Sequence, residues 1–202
     1  MNKIFFLICI LFYPLTSLAQ KNNSYFFLIK EYQKNYVSSH EVVKLNNRKY
    51  FRFYNADEKF KVQCHFEKAT DTATVVMKTS GKKIPQKDFV RYGKLSFIIH
   101  GTPLTLTVYQ SKELLHNPQY SRYLFIPFTD LTSGIETYGS GRYIDIYSPD
   151  IKNNIVEIDF NKAYNPYCAY SADYNCPIPP RENYLDVAIK AGEKNFGKKT
   201  EH

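Results

Sequence analysis

The chain has 202 residues, 44% hydrophobic and 16% aromatic, and its 27 Lys and Arg outnumber 19 Asp and Glu to give a net charge of +8. That length is one ordinary domain's worth of polypeptide, enough to bury a core. The positive charges are dispersed, with only short clusters such as Lys82-Lys83 and Lys198-Lys199, which excludes a nucleic-acid-binding stripe.

The chain opens with MNKIFFLICILFYPLTSLA. Lys3 supplies a positive start, residues 4–15 an apolar run, and Ser17-Leu18-Ala19 a small-x-small cleavage site. The run is shorter than the roughly 20 residues a spanning helix needs, and Pro14 interrupts it. Residues 1–19 are therefore expected to be a cleaved signal peptide. Residues 20–202 are expected to form one exported domain, periplasmic or secreted, with no stable membrane insertion. Removing the leader takes Lys3 with it and lowers the charge from +8 to +7.

Residues 24–38 read as an amphipathic helix with Tyr25, Leu28, Ile29, Tyr32 and Tyr36 on one face and Ser24 as its cap. A β-rich region follows. Segments 48–54 and 60–67 alternate, 73–78 is a third strand, and Ser80-Gly81-Lys82 signals a turn. Segments 95–100 and 104–109 flank Gly101-Thr102-Pro103 as a hairpin, with Leu95, Phe97 and Ile99 matched by Leu104, Leu106 and Val108. Segments 123–128, 142–147 and 155–160 are later strands. Leu185, Val187 and Ile189 point to a last one, although the following AIKAGEKNF could turn helical, and the tail after Phe196 is expected to fray. Short strands at this spacing predict a mainly β fold, an antiparallel barrel or sandwich with one N-terminal helix.

Three cysteines follow the leader. In an oxidising compartment Cys168 and Cys176 are the natural pair, and closing that loop would contribute about 2–3 kcal/mol. Cys64 shares a strand face with Phe60, Val62 and Phe66 and reads as a buried small hydrophobe. The spacing of Cys168 and Cys176 is not that of a zinc pair, so no metal is expected, and no cofactor motif stands in its required context.

The densest part of the chain runs over residues 138–183, where Tyr, Asn, Pro and Cys crowd together. Gly139-Ser140-Gly141-Arg142 reads either as an anion cradle or as a tight turn into the next strand. Arg142 is the candidate anchor for an anion or carboxylate, and Asp130, Asp159 and Glu182 are its candidate partners. Asn161, Tyr164, Asn165, Tyr167, Tyr170 and Asn183 fit a pocket for a small polar or anionic molecule, or equally a self-satisfied loop. A second reading is a hydrolase working through Asp159 or Glu182, with a histidine borrowed from His65, His100 or His116. A third is a purely structural clasp, with Arg142 against Asp159.

Several ordered motifs in this block resemble a known family. They include Thr129-Asp130, Glu136-Thr137-Tyr138-Gly139, Gly141-Arg142-Tyr143-Ile144-Asp145, Asp159-Phe160-Asn161 and Ala163-Tyr164-Asn165-Pro166. Cys168-Ala169-Tyr170-Ser171, Cys176-Pro177, Glu182-Asn183 and Ala191-Gly192-Glu193 continue the series. Together they resemble domain-of-unknown-function family 1684, most closely over residues 129–193. Ser140 departs from the pattern, since relatives tend to carry a glycine there. The resemblance implies a structural unit and carries over no catalytic residue.

Overall fold

The computed structural model describes residues 16–71, 73–80 and 86–198. Most of the expected leader lies outside these residues, as do Gly81 and Lys82 of the expected turn. One helix, α1 (Thr16–Ser39), precedes eight strands among the described residues. These are β1 (Lys61–Lys68), β2 (Thr74–Lys78), β3 (Gln86–Ile99), β4 (Thr102–Ser111), β5 (Tyr123–Asp130), β6 (Arg142–Tyr147), β7 (Ile155–Asp159) and β8 (Tyr184–Leu185). They form one curled antiparallel sheet, a half-barrel, in the order β6-β5-β4-β3-β1-β7. Strand β2 is added to β3, and β8 runs parallel on β5.

The expected hairpin is the centre of the sheet. His100 and Gly101 turn it with positive φ of 50° and 80°, the backbone that a two-residue turn between twisted strands requires. Strand β3 extends further back than the apolar alternation marked, because its register slips between Arg91 and Gly93. A one-residue slip exchanges the faces of a strand. Before it, Phe89 joins Met77, Tyr109, Phe125 and Tyr143 in a cluster on the outer face. After it, Leu95, Phe97 and Ile99 enter the main core on the inner face. Gly93 is required by a close approach, since a Cβ there would lie 2.3 Å from the Phe66 ring. Cys64 is fully buried in that core.

The sheet has a seam. Strands β4 and β5 pair only at Tyr109 and Phe125, and the gap beside that pair is filled by one side chain. Asn183 accepts from the Thr107 N–H at 2.8 Å and donates to the carbonyls of Thr107 at 2.9 Å and Pro127 at 2.7 Å. It acts as a surrogate strand residue and is sealed from solvent. Asn183→Ala would strand those buried groups, and a loss of about 2–4 kcal/mol is expected in denaturant unfolding.

Four expectations are corrected. Residues 48–54 do not form a strand: Leu45–Tyr50 is a 3-10 helix, and only Phe53 makes a bridge, to Glu193. Arg48 instead turns its guanidinium back to the carbonyl of Ser38 in the last turn of α1 and to those of His40 and Val43 just beyond it. Second, α1 does not divide cleanly into apolar and polar sides. Ile29 and Gln33 are buried, while Leu28 is exposed together with Phe26 and Phe27. Third, beyond β8 the chain is neither strand nor helix, although Ile189 and Ala191 are core residues. Fourth, the start of the tail is held, the Gly197 N–H donating to the Tyr50 carbonyl at 2.8 Å, while residues 199–202 of the expected fray lie outside the described residues. Among the described residues no helix is long and apolar enough to cross a membrane.

Candidate functional site

Successive residues of a strand point to opposite faces. In β5, Leu124, Ile126 and Phe128 go to the core, leaving Tyr123 and Phe125 on the outer face. In β6, Ile144 and Ile146 go inward with Arg142, so Tyr143, Asp145 and Tyr147 point outward. Of these, Tyr123, Phe125, Tyr143 and Asp145 are the floor of a cleft of about 840 Å³. Tyr32, Tyr36 and His40, at the end of α1, form one wall. The other comes from the loop after β7, through Tyr164, Tyr167 and Tyr174. Cys168 and Cys176 are placed as a disulfide pair across that loop, their Cα atoms 6.1 Å apart.

Asp145 is the polar centre of this cleft. It receives the Tyr123 hydroxyl on one carboxylate oxygen and the Tyr164 hydroxyl on the other, each at 2.7 Å. Partial desolvation raises its pKa, and the two hydroxyls act in the opposite sense. It nevertheless stays open to water, because it stands at the bottom of a concave surface rather than inside the core. Among the described residues no ion pair involves it. The phenols of Tyr123 and Tyr164 are held protonated, by desolvation first and by the Asp145 charge second.

His40 sits in the helix-side wall in neutral form. Burial, and then the Arg48 charge, lower its pKa to about 4. Its Nδ1 accepts from the Val43 N–H at 3.1 Å, which places the ring proton on Nε2. Tyr36, Phe51 and Tyr170 surround the ring.

The residues expected to form a ligand site do not converge on this cleft, Tyr164 and Tyr167 excepted. Arg142 has no solvent exposure, and its guanidinium is spent on Asp130 at 2.9 Å and on the carbonyls of Ile189, Ala191 and Glu193. Its partner is Asp130 and not Asp159. The glycines before it make a turn, Gly141 taking φ of +87° where a Cβ would strike the Phe128 carbonyl at 2.5 Å.

Asp159 and Asn161 form a second group. Asp159 accepts from Tyr25 at 2.9 Å and caps the Asn161 N–H at 3.0 Å, while the Asn161 side chain spans to the backbone of Asp57. Asn165 belongs to a third, its N–H donating to the buried carboxylate of Glu193 at 2.9 Å. Glu182 is held by Arg91 in two contacts of 3.2 Å and by the Tyr109 hydroxyl. With Tyr170 donating to Glu193 beside Asn165, Asn183 at the seam, and Tyr164 and Tyr167 in the cleft, the candidates occupy six places. The two carboxylates of the hydrolase reading, Asp159 and Glu182, are each committed to donors of the protein itself. Among the described residues no group of three or more His, Cys, Asp or Glu could hold a metal ion.

Sequence reasoning passed over Asp145, Tyr123, Tyr143 and His40. The signal was present for the first three: they are the outward positions of strands whose alternation is plain.

A curled antiparallel half-barrel with an aromatic cleft on its outer face is the class of structure these observations define. The model of the protein family of unknown function DUF1684 matches residues 48–194, and the chain belongs to that family. Among solved structures, it is similar to the solution NMR structure of an uncharacterised protein of Haloarcula marismortui. The TM-score is 0.64 at 24% identity, covering 87% of this chain and 96% of the other. That likeness supports the fold. No curated protein matches the sequence.

Proposed function

We propose that the protein is exported and binds a small polar molecule in this cleft, using Asp145 as the anchor. The observation that carries the reading is a water-accessible carboxylate, oriented by two tyrosine hydroxyls and left without an ionic partner, at the floor of an aromatic cleft. A carboxylate in this state has acceptor capacity to spare, and ring faces with a few fixed polar groups are the usual lining of a small-molecule site. Export rests on the leader-like start of the chain and on the Cys168–Cys176 pair. Removal of residues 1–19 would shorten α1 by its first turn and leave in place the bonds that Tyr25, Tyr32 and Tyr36 make to the rest of the domain.

The test is a screen of small cationic, neutral and anionic compounds, read from the tyrosine ring resonances of residues 20–202. A binder should shift Tyr123, Tyr143 and Tyr164 together. Asp145→Asn should weaken it at least tenfold while leaving the melting temperature within a few degrees, and Tyr164→Phe should weaken it less. If nothing in the library moves those rings, or if Asp145→Asn binds as tightly as the parent, the reading is wrong.

A further inference from the structure

We infer that the ligand class is an organic amine, with one ammonium group seated on Asp145 and further positive charge towards the rim; this rests on the cleft being a binding site. The first support is electrostatic. Four carboxylates line the cleft, those of Glu41, Glu113, Asp145 and Asp173, against one lysine, Lys87. The chain as a whole carries +8, so the acidic character is local to the cleft and opposes the sign of the protein. An anionic ligand would meet repulsion from several directions in a site of reduced dielectric.

The second support is the aromatic surface, which stands independently of the charge. A cation placed over a tyrosine or phenylalanine face is attracted by the ring quadrupole, more strongly where water is partly excluded. The hydroxyls of Tyr123 and Tyr164 already donate to Asp145. Their remaining lone pairs, like those of the carboxylate, can only accept. An ammonium group, which only donates, complements all of them.

A neutral polyol would also satisfy Asp145, but it gives Glu41, Glu113 and Asp173 nothing to do. These three are exposed, which suits charges that attract a second positive group at the mouth of the cleft. Asp145 and the rim together fit a diamine or a longer polyamine rather than a single compact cation.

A matched set of probes tests this: 1,6-diaminohexane, 1,6-hexanediol and adipate, alike in length and differing in charge. Calorimetry at low ionic strength, with the tyrosine resonances as the site-specific readout, should show saturable binding of the diamine. The diol and the diacid should bind at least tenfold more weakly. Asp145→Asn should cost the diamine at least tenfold. Combined Glu113→Lys and Asp173→Lys, both at exposed positions that do not challenge folding, should cost severalfold and flatten the salt dependence. Equal binding of the diol, or preference for adipate, overturns the amine assignment while leaving a small-molecule site in place. Silence from all three probes also overturns it, and the site itself falls only if the wider library is silent too.

Discussion

Replacing Arg142 with alanine is expected to destabilise the protein by about 3–5 kcal/mol, a large part of the roughly 5–15 kcal/mol that holds a domain together. The guanidinium is completely enclosed and lies 5.2 Å above the Phe128 ring. It joins the end of β5, through Asp130, to the carbonyls of Ile189, Ala191 and Glu193 in the C-terminal segment. Without it, those carbonyls lose their donor and a carboxylate is left buried. Asp130 would keep only the Thr132 N–H and hydroxyl and the Ile189 N–H. Lysine should not rescue the loss, because a single ammonium cannot reproduce a planar fork reaching four oxygens. The urea midpoints of Arg142→Ala and Arg142→Lys would measure this. A loss below 1 kcal/mol for the alanine variant would sink the structural assignment of Arg142.

The second large effect concerns pH. Glu193 is enclosed, and burial raises its pKa from 4.5 to about 7 against the pull of Asn165, Tyr170 and Tyr36. The folded state therefore holds a proton that the unfolded chain releases earlier. Its contribution is fully present below about pH 4.5 and is lost as pH rises through about 7, on the order of 3 kcal/mol. His40 works in the other direction. Its pKa is depressed from 6.5 to about 4, so its contribution is present above 6.5 and is lost as pH falls through about 4. The two rings and the carboxylate are near neighbours, since Tyr170 touches both His40 and Glu193. Between pH 4.5 and 6.5 the parent protein should therefore show a nearly flat stability profile. Glu193→Gln should reveal a profile that rises with pH, and His40→Gln one that falls. Chemical denaturation across that range decides it; a Glu193→Gln profile parallel to the parent's would remove the carboxylate from the account.

The strands were legible because alternation is local. Segment 142–147 was placed to the residue, and the hairpin at Gly101 declared itself. The same alternation, followed through RYIDIY, sets Arg142 beside Ile144 and Ile146 on the core side and Asp145 on the other. Charge is a poor guide to orientation here: an arginine that finds a carboxylate and several carbonyls can be enclosed, whereas an aspartate that finds two phenols can remain wet. Segment 48–54 misled for a related reason. Its alternating aromatics look like a strand, but Arg48 is drawn to carbonyls at and just past the end of α1, a demand that the alternation does not carry. The seam at Asn183 was out of reach too, since it depends on how far β4 and β5 diverge. The cleft joins residues near 36, 123, 145 and 164, and only the curl of the sheet brings them together.

The cleft also draws on two separate stretches of the chain. Its floor and its loop wall, from Tyr123 to Cys176, fall within the span that defines the family, but Tyr32, Tyr36 and His40 precede residue 48, where that span begins. The carboxylate and its two phenols thus lie inside the family's span, while the facing wall lies before it. On the proposed binding reading, changes before residue 48 would alter one wall of the cleft without touching Asp145. Exchanging residues 20–47 between two members of the family is the direct way to test whether that wall sets selectivity.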